Sequence, residues 1–317
     1  MTPSVTAFLF PGQGSQAAGM GKELASLYPV ARHTFQEADD ALGFSISQLC
    51  FEGPDEKLKM TEITQPAILT MSVAVHRVLQ EKGLVPQFVA GHSLGEYSAH
   101  VAAGTLEFSD AVRTVRNRGR YMQEAVPAGQ GAMAAILGMP LDQLEKACVD
   151  AAQGEVVSPA NINSADQVVI SGATAAVQRA ADLAKERGAK KAIMLQVSAP
   201  FHCAMMQPAQ DRLASDLADL TFNDPDFPVV ANFDASLKIA GADSRVALVR
   251  QVTGAVQWLG CIRKLIDAGA RTFIEVGPGK VLTGLMRQID RTQTAQNVED
   301  EASLQKVMNS LAAPSKE

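Results

Sequence analysis

Short apolar runs alternate with amphipathic segments along most of the chain. Before residue 126 we predict strands at 6–10 and 88–91, and helices from about residue 19 and at 65–82, 94–103 and 109–125. Strands that alternate with helices favour a parallel, doubly wound sheet. The alternation resumes after residue 198, with predicted helices at 207–217, 245–268 and 280–289 and strands near 229–232 and at 272–276. Residues 297–317 have a mixed pattern and are predicted to be peripheral.

The middle of the chain has a different order of elements. After the flexible sequence Pro-Ala-Gly-Gln-Gly at residues 127–131, we predict strand, helix, two strands around a turn, helix and strand, at 132–137, 141–152, 157–162, 167–171, 175–187 and 191–197. This β-α-β-β-α-β order is that of a ferredoxin-like unit. The prediction is therefore an α/β protein whose large domain, residues 1–128 and 199–317, is interrupted by a small inserted domain at residues 129–198.

Composition and charge narrow the class of protein. With 317 residues, 47% of them hydrophobic and 20% charged, the chain has the size and composition of a globular enzyme. A net charge of -6 and the lack of a basic cluster interleaved with aromatic residues disfavour nucleic acid as a partner. Residues 1–4 contain no basic leader, and no stretch approaches the roughly 18 apolar residues that span a bilayer. We expect a cytoplasmic protein without a membrane partner.

A candidate nucleophile lies in the sequence Gly-His-Ser-Leu-Gly at residues 91–95. An apolar run precedes it and a helical pattern follows. The two glycines permit a sharp strand-to-helix turn with Ser93 at its apex. The amide after this serine opens the helix, where the positive end of the helix dipole suits an oxyanion. The same pattern also occurs in ordinary tight connections, so the rest of the chain has to support a reactive serine.

The chain has five histidines from which a general base can come. His33 and His76 lie in helical stretches beside charged residues and are predicted to be at the surface. His92 and His100 are so close to the serine in sequence that either would approach it with poor geometry. His202, in a loop predicted to lead back into the large domain, is the candidate base. A buried structural histidine is the alternative.

Arg118 is a second candidate site residue. On the predicted helix at 109–125 it lies about 60° from Val115, at the edge of the apolar face, whereas the other arginines of this helix point away. A guanidinium that faces the core needs an anionic partner, since burying an unpaired charge is costly. The partner is either an internal carboxylate or the carboxylate of a substrate held by two hydrogen bonds.

Several motifs do not fit a cofactor or metal. Residues 11–16 follow a strand and are glycine-rich, but Ala17 stands where a dinucleotide fingerprint requires its third glycine. Residues 277–280 resemble a phosphate-binding loop, but Val281 replaces the required serine or threonine. No metal-binding spacing is present, and the four scattered cysteines are predicted to be reduced thiols, with Cys203 near the site but inert.

Five ordered motifs give the chain a resemblance to a known family. They are residues 10–16, residues 91–97, Arg118-Gly119 followed by residues 122–125, residues 200–202, and residues 275–282. In this order they resemble the motifs of bacterial malonyl-CoA:acyl carrier protein transacylases, and the resemblance extends from about Phe8 to Leu285. It implies an α/β-hydrolase-like large domain with a ferredoxin-like small one, in agreement with the predicted layout.

The resemblance also implies a mechanism. The family moves a malonyl group from malonyl-CoA to the phosphopantetheine thiol of acyl carrier protein in fatty acid biosynthesis, by a ping-pong reaction that needs no cofactor or metal. The implied roles are Ser93 as nucleophile, His202 as base, the carbonyl of Gln251 as the group that orients the base, the amides of Gln13 and Leu94 as oxyanion donors, Arg118 as the clamp for the malonyl carboxylate, and Phe201 as a residue that disfavours an α-methyl branch. The sequence departs from the family at residues 254–258, Gly-Ala-Val-Gln-Trp, where Asn-Pro is common at the first two positions. This departure affects the expected loop geometry.

Other functions share parts of these patterns. A serine hydrolase, either an esterase or a thioesterase, has the same elbow, but it orders its triad as serine, acid and histidine and has no need of a buried cation. A catalytically silent module that binds carrier proteins would have no reason to keep both Ser93 and His202. A malonyl transferase that acts on another carrier, in malonate decarboxylation or polyketide synthesis, is a further alternative.

Overall fold

A computed structural model describes residues 5–197 and 199–312. Its strands are β1 (Thr6–Phe10), β2 (Phe88–Gly91), β3 (Gly131–Leu137), β4 (Val157–Ser164), β5 (Gln167–Ala173), β6 (Lys191–Met194), β7 (Val229–Val230), β8 (Leu237–Lys238), β9 (Thr272–Val276) and β10 (Thr294–Val298). Its α-helices are α1 (Lys22–Leu27), α2 (Pro29–Leu42), α3 (Ile46–Glu52), α4 (Asp55–Leu58), α5 (Thr61–Glu81), α6 (Gly95–Ala102), α7 (Phe108–Glu124), α8 (Leu141–Ala152), α9 (Thr174–Glu186), α10 (Gln207–Ala218), α11 (Gly241–Gln251), α12 (Trp258–Asp267), α13 (Val281–Ile289) and α14 (Glu301–Ala312). The predicted leader-free segment at residues 1–4 lies outside the described residues.

The larger sheet has the order β10-β9-β1-β2-β7-β8 in the described part of the chain. Neighbouring strands are parallel except for the β7–β8 pair. The predicted, mostly parallel sheet is therefore confirmed. β1 is buried along its whole length and β2 nearly so, as expected for central strands with helices on both faces. The carboxyl ends of these strands lie at one edge of the sheet, which is where ligand sites form in this architecture.

The smaller sheet is antiparallel, with the order β4-β5-β3-β6. Together with α8 and α9 its strands follow the β-α-β-β-α-β sequence, so the predicted ferredoxin-like unit is confirmed. The two helices supply alanine-rich faces that pack on the sheet as a separate core. The exact boundaries at residues 129 and 198 stay predictions, and Ser198 lies outside the described residues.

The single helix predicted at 245–268 is wrong. The structure has two helices there, α11 and α12, joined by residues 252–257. In this connection Val256 pairs with β4 of the smaller sheet: its amide donates to the Ala160 carbonyl at 2.8 Å, and its carbonyl accepts from the Ile162 amide at 2.9 Å. The backbone hydrogen bonds between Val256 and β4 require an extended conformation, so this residue is not helical although the sequence pattern predicts a helix. This is the segment in which the sequence departs from the transacylase family.

Residues 297–312, which were predicted to be peripheral, lie at the edge of the larger sheet, and most of those whose burial is described are exposed or half-buried. Residues 294–298 form β10, which pairs with β9 at the edge of the larger sheet. Leu304 and Val307 of α14 are buried in the main core. These two are the buried residues of α14 in an otherwise polar sequence, so the hydrophobic pattern did not predict their contact with the core.

The segment between β1 and β2 is more helical than the sequence pattern predicted. Four helices, α1 to α4, precede α5 in the described residues, where one was expected from about residue 19. α5 is buried along most of its 21 residues. His76 on this helix is therefore not a surface residue as predicted: it is buried between the edges of Phe8 and Phe10, and burial lowers its pKa to about 4. None of the helices described, α5 included, has the length and apolar character needed to cross a membrane.

Candidate active site

The serine at the predicted elbow lies between β2 and α6 with a backbone conformation that few side chains adopt. Ser93 has a φ of 51°, in the left-handed region. A Cβ atom on Gly91 would lie 1.9 Å from the carbonyl carbon of Gly95, and a Cβ on Gly95 would lie 2.0 Å from the Phe10 carbonyl oxygen. Both glycines are therefore required for the strand, turn and helix to approach so closely. The cost of the strained serine is consistent with a functional position.

His202 is the histidine that reaches this serine. Its Nε2 atom lies 2.7 Å from Ser93 Oγ, and its Nδ1 atom lies 2.9 Å from the backbone carbonyl oxygen of Gln251. A carbonyl oxygen can only accept, so Nδ1 carries the proton and Nε2 presents its lone pair to the serine hydroxyl. His202 also has a left-handed φ, of 59°. The arrangement is a serine–histidine dyad in which a carbonyl takes the place of a triad acid.

The electrostatic surroundings keep His202 uncharged. Burial, followed by the positive charge of Arg118, lowers the pKa of His202 from 6.5 to about 3. The imidazole is therefore a neutral acceptor at physiological pH. It can receive the proton of the serine hydroxyl without first having to lose one of its own.

Arg118 is fully buried on α7, with 1% of its surface exposed. Its Nη2 donates to Ser93 Oγ at 3.1 Å and to Gln251 Oε1 at 2.9 Å, and its Nη1 donates to Gln65 Oε1 at 2.8 Å. No carboxylate of the described residues lies within ion-pair distance of this guanidinium. The sequence left two partners open for Arg118, an internal carboxylate or the carboxylate of a substrate. The described residues do not provide the internal one.

Three polar residues that sequence reasoning did not identify complete the surroundings. Glu96 is buried, and its Oε2 accepts from the side chain of Gln251 at 2.7 Å and from the backbone amide of Asn232 at 2.9 Å. Asn232 Oδ1 accepts from the Ser93 amide at 2.7 Å, and Gln65 holds Arg118 as described above. Burial raises the pKa of Glu96 to about 7, against the hydrogen bonds from Asn232 and Gln251 that lower it. Asn232 follows β7, next to β2, so a search along the carboxyl edge of the sheet could have found it.

The remaining predicted residues line a cavity of about 300 Å³ at the dyad. Gln13 and Leu94 lie on the wall beside the serine, and Leu94 directly precedes the first turn of α6. Phe201 lies beside the base, and Met122 and Met133 add an apolar part of the wall. The smaller sheet contributes Met133 and Asn161, and residues 195–197 after β6 also line the cavity, which therefore has walls from both the large and the small unit.

The other histidines and the cysteines have different surroundings. His33 is exposed, as predicted. His92 lines the same cavity, but its Nε2 lies 2.9 Å from Asn163 Oδ1 and not at the serine hydroxyl, and His100 is buried on α6. All four cysteines are free and buried, in agreement with reduced thiols, and the Cys203 thiol donates to the Pro200 carbonyl at 3.2 Å. Across residues 5–197 and 199–312 there is no group of three or more His, Cys, Asp and Glu side chains that could hold a metal.

Comparison with known proteins identifies the family of the chain. The acyl transferase domain family matches residues 7–312 of the chain. The malonyl CoA-acyl carrier protein transacylase of Escherichia coli (strain K12) is 51% identical over 299 residues, which cover 94% of this chain and 97% of that protein. The structure of the malonyl CoA-acyl carrier protein transacylase from Coxiella burnetii has a TM-score of 0.96 at 44% identity, and covers 98% of this chain and 99% of that chain.

A third relative was solved with a partner. It is a malonyl-transacylase in complex with a type II PKS acyl-carrier protein, with a TM-score of 0.94 and 48% identity, and it covers 97% of this chain and 100% of that chain. The matches thus extend over both sheets, and they cover at least 94% of this chain and at least 97% of each relative. They confirm the resemblance found in the sequence, and the chain belongs to the acyl transferase domain family and, within it, to the malonyl CoA-acyl carrier protein transacylases.

Proposed function

We propose that the protein transfers a malonyl group from malonyl-CoA to the phosphopantetheine thiol of an acyl carrier protein, in fatty acid biosynthesis, through a malonyl ester of Ser93. The observation that carries the proposal is the neutral dyad beside a buried arginine that lacks an internal carboxylate partner. The dyad supplies a nucleophile, and the arginine supplies a site for the second carboxylate of malonate.

In the first half-reaction His202 Nε2 takes the hydroxyl proton while Ser93 Oγ bonds to the thioester carbon. The negative charge that develops on the carbonyl oxygen is stabilised by the amides of Gln13 and Leu94, as the family resemblance implies. The carbon–sulfur bond then breaks, and the imidazolium returns the proton to the sulfur of CoA. Malonyl-serine and free CoA are the products.

In the second half-reaction the thiol of the carrier protein enters the cavity that CoA has left. Its proton passes to His202 Nε2, its sulfur attacks the ester carbon, and Ser93 Oγ leaves and recovers the proton. The chemistry uses the two thioesters and the dyad alone, so it needs no cofactor or metal. We also propose the domain boundaries 129 and 198 and a cytoplasmic location, because the thioester substrates are made and used there.

Arg118 holds the malonyl carboxylate. Once Oγ is an ester oxygen, the Nη2 hydrogen that points to it is released, and Nη1 has a second hydrogen beyond its bond to Gln65. Two parallel donors of this kind match a carboxylate. Phe201, beside the base, limits the space for an α-methyl branch. A serine hydrolase gains nothing from such a cation, which separates the proposal from an esterase or thioesterase.

The release of CoA without a carrier tests the proposal. We expect one rapid equivalent of CoA per active site followed by a slow phase, because a malonyl carboxylate held by Arg118 would occupy the space near His202 from which a water could attack the ester. Adding phosphopantetheinylated carrier protein should restore steady turnover. Stopped-flow detection of free CoA, with the carrier lacking phosphopantetheine as the control, measures both phases. Release that is equally fast with and without the carrier thiol would identify a thioesterase instead.

The acylation rate should be insensitive to acid over a wide range. His202 acts in its neutral form. Because its pKa is about 3 instead of 6.5, this form is lost only at a lower pH. We expect kcat/KM for malonyl-CoA to be flat between about pH 8 and pH 5.5, since this parameter reports the free enzyme. Single-turnover acylation at low substrate concentration measures it, with circular dichroism at each pH to confirm folding. A fall in rate centred near pH 6.5 would contradict the assignment of His202.

A further inference from the structure

Glu96 is an ionisable side chain next to the nucleophile that the proposed mechanism does not use. It has no exposed surface, and it is absent from the walls of the cavity. It therefore does not touch the substrate. Both hydrogen bonds of its carboxylate go to Oε2, from the Asn232 amide and from Gln251 Nε2.

Glu96 is one of the groups that hold the side-chain amide of Gln251 in one orientation. Three acceptors surround Gln251 Nε2: Glu96 Oε2 at 2.7 Å, the Ser93 carbonyl at 2.9 Å and, at the longest distance, Asn232 Oδ1 at 3.5 Å. With the amino group held on that side, Oε1 is left facing Arg118 Nη2 at 2.9 Å. If the amide were turned over, its amino group would face a guanidinium, and two donors cannot pair. The carboxylate thus keeps an acceptor in front of the arginine.

We propose that Glu96 is a positioning residue that sets the preference for malonyl groups, because it fixes the orientation of Gln251 and thereby the position of the Arg118 guanidinium. This inference rests on the proposed role of Arg118 as the clamp for the malonyl carboxylate. Glu96 Oε2 accepts from Gln251 Nε2, and Gln251 Oε1 accepts from Arg118 Nη2, which also donates to Ser93 Oγ. Loss of the first contact removes the nearest acceptor of the Gln251 amino group, so the amide and the guanidinium that it faces can shift in the cavity.

The positioning role depends on the length of the Glu96 side chain and not on its charge. Oε1 of Glu96 makes no hydrogen bond and lies 4.0 Å from His100 Nε2, which is also without a partner in the described residues. A proton or an amino group at Oε1 therefore leaves the acceptor at Oε2 in place. Glu96→Gln keeps that acceptor without the charge, whereas Glu96→Asp keeps the charge but withdraws the acceptor by one methylene.

The test compares serine ester formation from malonyl-CoA with that from acetyl-CoA, which has no second carboxylate. Intact-mass measurement at timed intervals gives both rates for each variant. We expect Glu96→Asp to lower the malonyl-to-acetyl rate ratio about tenfold, and Glu96→Gln to keep it within about threefold of the unaltered protein. A residue needed only for folding would lower both rates together and leave the ratio unchanged.

Glu275 offers a matched control. It is another buried glutamate, 1% exposed, whose carboxylate accepts from the amides of Leu282 and Thr283 at the start of α13. Glu275→Asp shortens an equally buried carboxylate that does not contact Gln251 or Arg118, so the malonyl-to-acetyl ratio should not change. If Glu96→Asp behaves like this control, or if Glu96→Gln loses the ratio as well, the inference is overturned.

One further variant keeps the test decisive. Should Glu96→Asp fail to fold, Gln251→Met removes the amide but keeps the backbone carbonyl that holds His202, and it should lower the ratio in the same way. An unchanged ratio in Gln251→Met overturns the inference. Failure of the proposed function looks different, because the unaltered protein would then form no malonyl ester, or would form malonyl and acetyl esters at equal rates.

Discussion

Ser93→Ala is expected to remove the malonyl adduct that forms when the protein is mixed with malonyl-CoA. Among the described residues, the hydroxyl of Ser93 is the group that contacts His202 Nε2, at 2.7 Å. Removal of a nucleophile of this kind lowers turnover by roughly 10⁴- to 10⁶-fold, since only binding and oxyanion stabilisation remain. Intact-mass spectrometry of the acylated protein and a transfer assay with the carrier measure the two effects.

Ser98→Ala is the matched control for this prediction. Ser98 lies on α6, five residues after the nucleophile, and its buried hydroxyl has no hydrogen-bond partner in the described part of the chain. It does not line the cavity. We expect this variant to acylate normally. A malonyl adduct that persists in Ser93→Ala, or one that disappears in Ser98→Ala while the protein stays folded, would assign the nucleophile to another residue.

Arg118→Ala should weaken malonyl transfer far more than acetyl transfer. The malonyl carboxylate would lose a charge-assisted partner in a buried position, at a cost of about 3 kcal/mol or more, which corresponds to roughly a hundredfold in kcat/KM. Acetyl-CoA loses only the contact between Nη2 and the serine oxygen. The ratio of the two kcat/KM values, measured as CoA release with carrier protein present, should therefore fall sharply.

Arg113 serves as the control, because it lies on the same helix α7 but is exposed and pairs with Asp110 at 2.6 Å. Arg113→Ala removes a positive charge from the surface and should leave the ratio as it is. An Arg118→Ala variant that keeps its preference for malonyl-CoA would refute the proposed clamp. It would then leave the buried guanidinium as a structural group.

The sequence predicted the parts of the site that depend on local patterns. Ser93 is marked by the glycines around it, and Arg118 by its place on the edge of an apolar helix face. His202 was selected because the other histidines were poorly placed, and the contact of its Nδ1 with Gln251 came only from the family resemblance. The structure brings all four residues together, while their catalytic roles stay proposals.

The residues that were missed are held by contacts between distant parts of the chain. Gln65 reaches Arg118 across 53 positions, and Glu96 reaches Asn232 across 136. The hydrophobic periodicity of a sequence does not show which distant residues form hydrogen bonds. A glutamate that directly follows a glycine at the start of a helix looks like an ordinary first-turn acid, so its burial was not predicted. The wrong helix at 245–268 has a related cause, because Val256 forms its backbone hydrogen bonds with β4, which lies about 95 residues earlier in the chain.

The bridge between Val256 and β4 has a consequence for the order in which activity appears during folding. The base lies on the chain that returns from the smaller sheet, and its carbonyl partner Gln251 comes just before the segment that pairs with that sheet. A folding intermediate that contains only the parallel sheet would present the serine without a base. Thioester chemistry is therefore expected to begin only when both sheets have docked, so partly folded chains would not consume the CoA ester pool.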